Sequence, residues 1–127
     1  MLPLCRHEGI AVLPWSPLAR GILTGGARNR DTLRSRTDEY ARRLYYQECD
    51  IEVASRLDEV AANRGAGPAQ VALAWLLSRP GVTAPVLGVT DVRHLEEAVA
   101  ALEIVLDPEE IRRLEECYRP HPVLGHP

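Results

Sequence analysis

The chain has 127 residues, 46% of them hydrophobic and 26% charged, with a formal net charge of -3. A balance so near neutrality excludes a strongly basic nucleic-acid surface or a polybasic membrane anchor, and no stretch has the length and apolarity of a membrane span. All fifteen basic residues are Arg, which excludes Schiff-base chemistry and any Lys-assisted proton relay within this sequence.

Residues 1–8 read as the end of a helix rather than a signal peptide, because Arg6, His7 and Glu8 interrupt them, and Gly9 supplies the left-handed residue that turns the chain. Residues 10–13 then read as a buried strand running into Pro14-Trp15-Ser16-Pro17-Leu18-Ala19-Arg20-Gly21. Residues 16–49 carry Gly21, Gly25, Gly26 and many Arg without a sustained apolar period. A connector that long is usually functional or disordered. Asp50 is expected to cap a helix to Arg64 that places Ile51, Val53, Ala54, Leu57, Val60 and Ala61 on one face.

Gly65 breaks that helix, and Pro68 fits the first position of the next, a strongly apolar segment of Val71, Leu73, Ala74, Trp75 and Leu77 that ends at Pro80-Gly81. Residues 84–87 read as a second strand, followed by Gly88-Val89-Thr90 and a helix over 92–102 capped by Asp91. Asp107-Pro108-Glu109-Glu110 predicts a capping box opening a last helix to about Tyr118, and residues 119–127, with three Pro and two His, read as an irregular tail. Two buried parallel strands leave their edges and faces uncovered, so the chain reads as a fragment of a larger α/β sheet.

Ligands of parallel α/β folds bind beyond the carboxyl ends of the strands, where both 15–21 and 88–94 fall. Gly88, Thr90 and the N–H groups of the helix opened by Asp91 could cradle a phosphate, with Asp91 turned away from it. Each residue also has a plainer reading: Gly88 as a turn, Arg20 as a solvated cation, Trp15 as a core residue rather than a platform for a flat ring. Cys5, Cys49 and Cys117 form neither a disulfide framework nor a zinc spacing, which makes a reduced, cytoplasmic setting the expectation. His7 lies near a helix end, and His121 and His126 lie in a Pro-rich tail without a partner carboxylate in a ligand spacing, so no metal site is expected. Glu96, Glu97, Glu109 and Glu110 read as solvated or dipole-complementing charges.

Three segments, 14–21, Ala69-Gln70-Val71-Ala72-Leu73-Ala74-Trp75-Leu76-Leu77 and 85–97, together resemble the aldo-keto reductases over residues 1–118. The resemblance implies the carboxy-terminal portion of a (β/α)8 barrel with strands 7 and 8, their helices and a long loop, making 1–127 one partial barrel domain; a complete barrel needs about 250 residues. It implies NADP(H) as cofactor, with Trp15 against the nicotinamide, Ser16, Leu18, Arg20 and Gly21 along the pyrophosphate, and Gly88, Val89 and Thr90 near the adenosine phosphates. His94 falls beside the 2′-phosphate, where relatives carry Arg or Gln, and Glu97 matches the residue that bonds adenine. Ala98 departs from the usual Asn, which with Arg93 nearby leaves NADPH and NADH both open.

The family reduces aldehydes and ketones by hydride transfer, with a Tyr, an Asp, a Lys and a His handling the proton, all on earlier strands. Without Lys this chain cannot supply that set, and Tyr40, Tyr45, Tyr46 and Tyr118 read as packing or solvated residues, so the chain alone is expected to be inactive. Two other readings stand beside this one: a non-catalytic nucleotide-binding module that self-associates through its open edges, and a decayed fragment. The carbonyl substrate is not named by the sequence.

Overall fold

A computed structural model describes residues 1–25, 44–45 and 47–120. The expectations for Gly26, Tyr40, Tyr46, His121 and His126, and most of those for 16–49 and the tail, lie outside these residues. The described elements are α1 (Leu2–His7), a short 3-10 turn (Ala19–Thr24), α2 (Glu48–Arg64), α3 (Pro68–Leu77), α4 (Val92–Ala100), a second 3-10 turn (Ala101–Glu103) and α5 (Pro108–Glu115).

The core is the seam of α2, α3 and α5. Leu57, Val60 and Ala61 of α2 recur at spacings of three and four and meet Val71, Ala72 and Ala74 of α3 and Leu114 of α5, with Leu106 closing the end. Burying side chains of this size stabilises the folded state by about 1.5 to 3 kcal/mol each for the Val and Leu members. Helix α3 buries four consecutive residues, Val71 to Ala74, because it is sandwiched between neighbours and has no wet face along that stretch.

Several starts and stops follow the sequence. Pro68 opens α3 at its first positions, and the Gln70 Oε1 accepts from the Gly67 N–H at 2.9 Å. Asp107 caps α5 through Oδ1, which accepts from the N–H groups of Glu109 and Glu110 at 2.8 Å, while Glu110 reaches back to the Asp107 N–H. Gly65 ends α2 in the left-handed region at φ 70°. Three boundaries differ, the first being that α5 ends at Glu115 rather than near Tyr118. Asp50 is not the cap of α2: the helix starts three residues earlier with Gln47 as its cap, and the Asp50 carboxylate accepts from the Gln47 N–H at 3.0 Å from the third helical position. Helix α4 stops at Ala100 and tightens into the 3-10 turn rather than continuing to 102.

The expected strands are the main correction. Among the described residues there is no β-strand: neither 10–13 nor 84–87 forms one, and the two stretches of chain meet at one parallel bridge, Trp15 to Val86, beyond the end of the first. The Thr83 N–H donates to the Val12 carbonyl at 2.9 Å and the Val86 N–H to the Pro14 carbonyl at 2.8 Å. Pro14 has no N–H to give to the partner, and the Val12 N–H donates to Thr83 Oγ1 at 3.1 Å rather than to a backbone carbonyl, so the ladder does not propagate.

Candidate functional site

The parallel sense of the bridge sends 15–21 and 88–94 off the same end of the pair. Trp15 stands at that end with 66% of its surface exposed, which overturns its reading as a core residue and leaves a flat apolar face open beside the loop that follows.

That loop is strained. Ser16, Ala19 and Arg20 all have left-handed backbones, at φ 51°, 48° and 55°, and Gly21 follows at 101°. Each of the first three costs about 1 to 2 kcal/mol relative to a right-handed conformation. The conformation persists because its flanks are held: Ile22 is buried against Ala54 of α2, Leu18 and Leu23 pack on the main core, and the Gly21 and Leu23 N–H groups donate to the Leu18 carbonyl at 2.9 and 3.3 Å. Strain over-determined in this way accompanies ligand-holding loops. Beneath the loop lies an apolar groove of about 540 Å³ between Pro17 and Leu23 on one side and Leu57, Trp75, Leu114 and Tyr118 on the other. Glu115 at its edge accepts from Trp75 Nε1 at 2.9 Å and Arg79 Nη1 at 2.7 Å, tying α3 to α5.

On the second loop Gly88, Val89 and Thr90 are exposed, and a Cβ placed on Gly88 would meet no atom within 4 Å. Asp91 then caps α4, as its position predicts. Its Oδ1 accepts from the Arg93 N–H at 2.9 Å, and its carboxylate receives the Arg93 guanidinium through Nη2 at 2.8 Å and Nε at 3.3 Å. The Arg93 hydrogen bonds hold the Asp91 carboxyl below the usual carboxylate range. His94 donates its backbone N–H to the Asp91 carbonyl at 3.1 Å, and its side chain is exposed. The Glu97 side chain is exposed as well, while its carbonyl accepts from Gln70 Nε2 at 3.4 Å.

Trp15, Ser16, Leu18, Arg20 and Gly21 therefore sit on one loop and Gly88, Val89, Thr90, His94 and Glu97 on the other. The sequence reading missed the Asp91–Arg93 pair, although an acidic cap two residues before an Arg was the available signal. It also missed the run of left-handed residues, for which only Gly21 gives a hint. Tyr45 packs against Ile22 and Ala54 and Tyr118 lies open on the groove. Among the described residues no group of three or more His, Cys, Asp or Glu could hold a metal ion, and no helix is long and apolar enough to cross a membrane.

Comparison with known proteins matches residues 1–119 to the model of the aldo/keto reductase family. Similar proteins include versiconal hemiacetal acetate reductase of Aspergillus parasiticus, 40% identical over all of this chain and 37% of its own length, and an aldo-keto reductase of Fusarium vanettenii, 36% identical over 99% of this chain and 34% of its own. The crystal structure of a thermostable aldo-keto reductase in complex with the inhibitor epalrestat matches at a TM-score of 0.59 and 31% identity, covering 92% of this chain and 33% of that one. The chain thus spans about a third of the length of the proteins it matches.

Proposed function

Since the chain belongs to the aldo/keto reductase family, we propose that it is the carboxy-terminal part of an NAD(P)H-dependent oxidoreductase acting on small aldehydes or ketones. In this reading 10–13 and 84–87 are the seventh and eighth strand positions of a (β/α)8 barrel, and the two loops beyond them hold the cofactor. The observation that carries it is the exposed Trp15 indole beside a strained, pinned backbone, on the same end of the parallel pair as the open Gly88 loop.

The residues present fit a dinucleotide. The indole offers a face for the nicotinamide ring, and the left-handed stretch Ala19-Arg20-Gly21 presents backbone and a guanidinium to the pyrophosphate. Gly88 lets the backbone approach the adenosine half without a Cβ in the way, and Glu97 is placed to accept from the adenine. The nicotinamide, once bound, supplies the hydride for carbonyl reduction. This chain's residues bind and orient it; with no Lys in the sequence, the proton-donating set belongs elsewhere in the barrel and the isolated chain does not reduce carbonyls. Three free cysteines fit a reducing cytoplasmic setting.

Titration of the purified chain with NADH and NADPH, followed by Trp fluorescence and energy transfer to the reduced nicotinamide, tests the binding. Saturable quenching that Trp15→Ala abolishes is the expected result; no saturation with either dinucleotide overturns it. A second reading, a non-catalytic module that self-associates, is favoured by Val92, Leu95, Val99 and Leu102, an apolar row on and just beyond α4 that is half or more exposed. Sedimentation at several concentrations decides this, and a monomer throughout removes it.

A further inference from the structure

The loop after Trp15 owes its shape to a helix that lies outside both candidate loops. Ile22 is 5% exposed and sits on Ala54 of α2, itself 1% exposed, with Ala19, Leu23 and Tyr45 packed around the two. This small cluster is separate from the main core of Leu57, Val60 and Ala61 further along the same helix. The chain beside Ile22 is tied to itself: the Gly21 and Leu23 N–H groups donate to the Leu18 carbonyl, and Thr24 Oγ1 donates to the Gly21 carbonyl at 2.7 Å. Ala19 and Arg20, just before it, are held at φ 48° and 55° and would relax toward a right-handed backbone if released. Burial of one Ile side chain and the strain of two left-handed residues are of the same order, so the anchor decides which conformation prevails.

We infer that Ile22 and Ala54 are positioning residues, and that α2 acts through their contact to hold the loop in its binding shape. This rests on the reading above, in which the stretch from Trp15 to Gly21 faces the dinucleotide. Both side chains are buried and offer a ligand no surface, so their part is to fix the backbone of Ala19, Arg20 and Gly21 before the ligand arrives. A loop already in its bound conformation spends no binding free energy on ordering itself. Were only about a tenth of the molecules to hold that conformation, the apparent dissociation constant would rise about tenfold. Ala54 matters by being small: at that depth a longer side chain must displace Ile22. The two are matched in volume, and Ala54 stands on a helix that carries none of the residues assigned to the cofactor.

Amide hydrogen exchange, and calorimetric titration with NADH and NADPH, test this on the full chain and on Ile22→Ala, Ala54→Leu and the double variant. Circular dichroism first establishes that each is folded. Either single substitution should speed exchange at Gly21 and Leu23 and weaken binding of the preferred dinucleotide by about tenfold. The double variant puts back the missing volume and should recover most of both, a non-additivity that two unrelated lesions would not give. Val60→Ala, on the same helix but in the main core, should destabilise the fold yet leave loop exchange and affinity within about twofold. Should Ile22→Ala not fold, Ile22→Val gives the same readouts with a smaller shift. Loop exchange unmoved by both single variants, or affinity unmoved once the loop has loosened, overturns the inference while the cofactor site stands. Binding of neither dinucleotide by the parent overturns the site and this inference with it.

Discussion

Backbone sign separates residues that look alike in the sequence. Gly65 ends α2 at φ 70° with open space where a Cβ would go, while Gly81 sits at φ 97° with Arg6 Cγ only 3.1 Å from that position. Gly65→Ala should therefore cost about 1 kcal/mol, the usual penalty of a left-handed alanine. Gly81→Ala should cost more, because its φ lies further from the left-handed minimum and the Arg6 stem must also move. Urea denaturation of both variants checks the order. Two carboxylates paired with Arg, Asp91 and Glu109, give a pH dependence of definite sign. Arg93 lowers the Asp91 carboxyl and Arg112 lowers that of Glu109. Their contribution is complete above the unfolded value near about pH 4 and is lost as pH falls through the lower folded values. Helical circular dichroism should fall with acidification below about pH 4, and Asp91→Asn should remove the part that belongs to α4.

At the level of elements, helix α5 is clamped to the end of α2. Arg64 donates Nη1 to both Glu110 oxygens at 2.5 Å and Nη2 to the Val105 carbonyl, while Glu110 also completes the capping box of α5. A belt of Arg56, Glu59, Arg113 and Glu116 continues the same contact along the two helices. Because Arg64→Ala leaves the Val105 carbonyl without that donor and frees Glu110, it should cost about 1 kcal/mol. Leu57→Ala, at the centre of the seam and 2% exposed, should cost about 2 to 5 kcal/mol through the cavity it leaves. Thermal melts of the two variants would show whether helix packing outweighs the ionic clamp, as these magnitudes require.

Across the whole molecule, the described apolar surface divides unevenly. The α2, α3 and α5 seam is closed, whereas Ile10, Leu13, Trp15 and Val86 on the extended pair and Val92, Leu95, Val99 and Leu102 around α4 stand open. A row of that kind promotes association. The 127-residue chain should bind an apolar dye such as anilinonaphthalene sulfonate, and replacing Val99 and Leu102 by Glu should lower both dye binding and any concentration-dependent sedimentation. Unchanged dye binding in the double variant would mean that the α4 row is not the exposed patch the dye reads.

The helices were legible because their signals are local: Gly65, Pro68, Asp91 and Asp107 act within one turn, and the spacing of Leu57, Val60 and Ala61 marks a buried face from the residues alone. The family was legible because three strings of sequence carry it together. Strand pairing was not, since a ladder depends on which donors meet across the chain, and the missing Pro14 N–H matters only once Trp15 and Val86 are opposite each other. The left-handed residues Ser16, Ala19, Arg20 and Gly21 were hidden for the same reason: their conformation is imposed by where Leu18, Ile22 and Leu23 are anchored. The Asp91–Arg93 pair, by contrast, joins residues two apart and belongs to the local signals, whereas the left-handed loop and the single bridge exist only because distant parts of the chain are brought together.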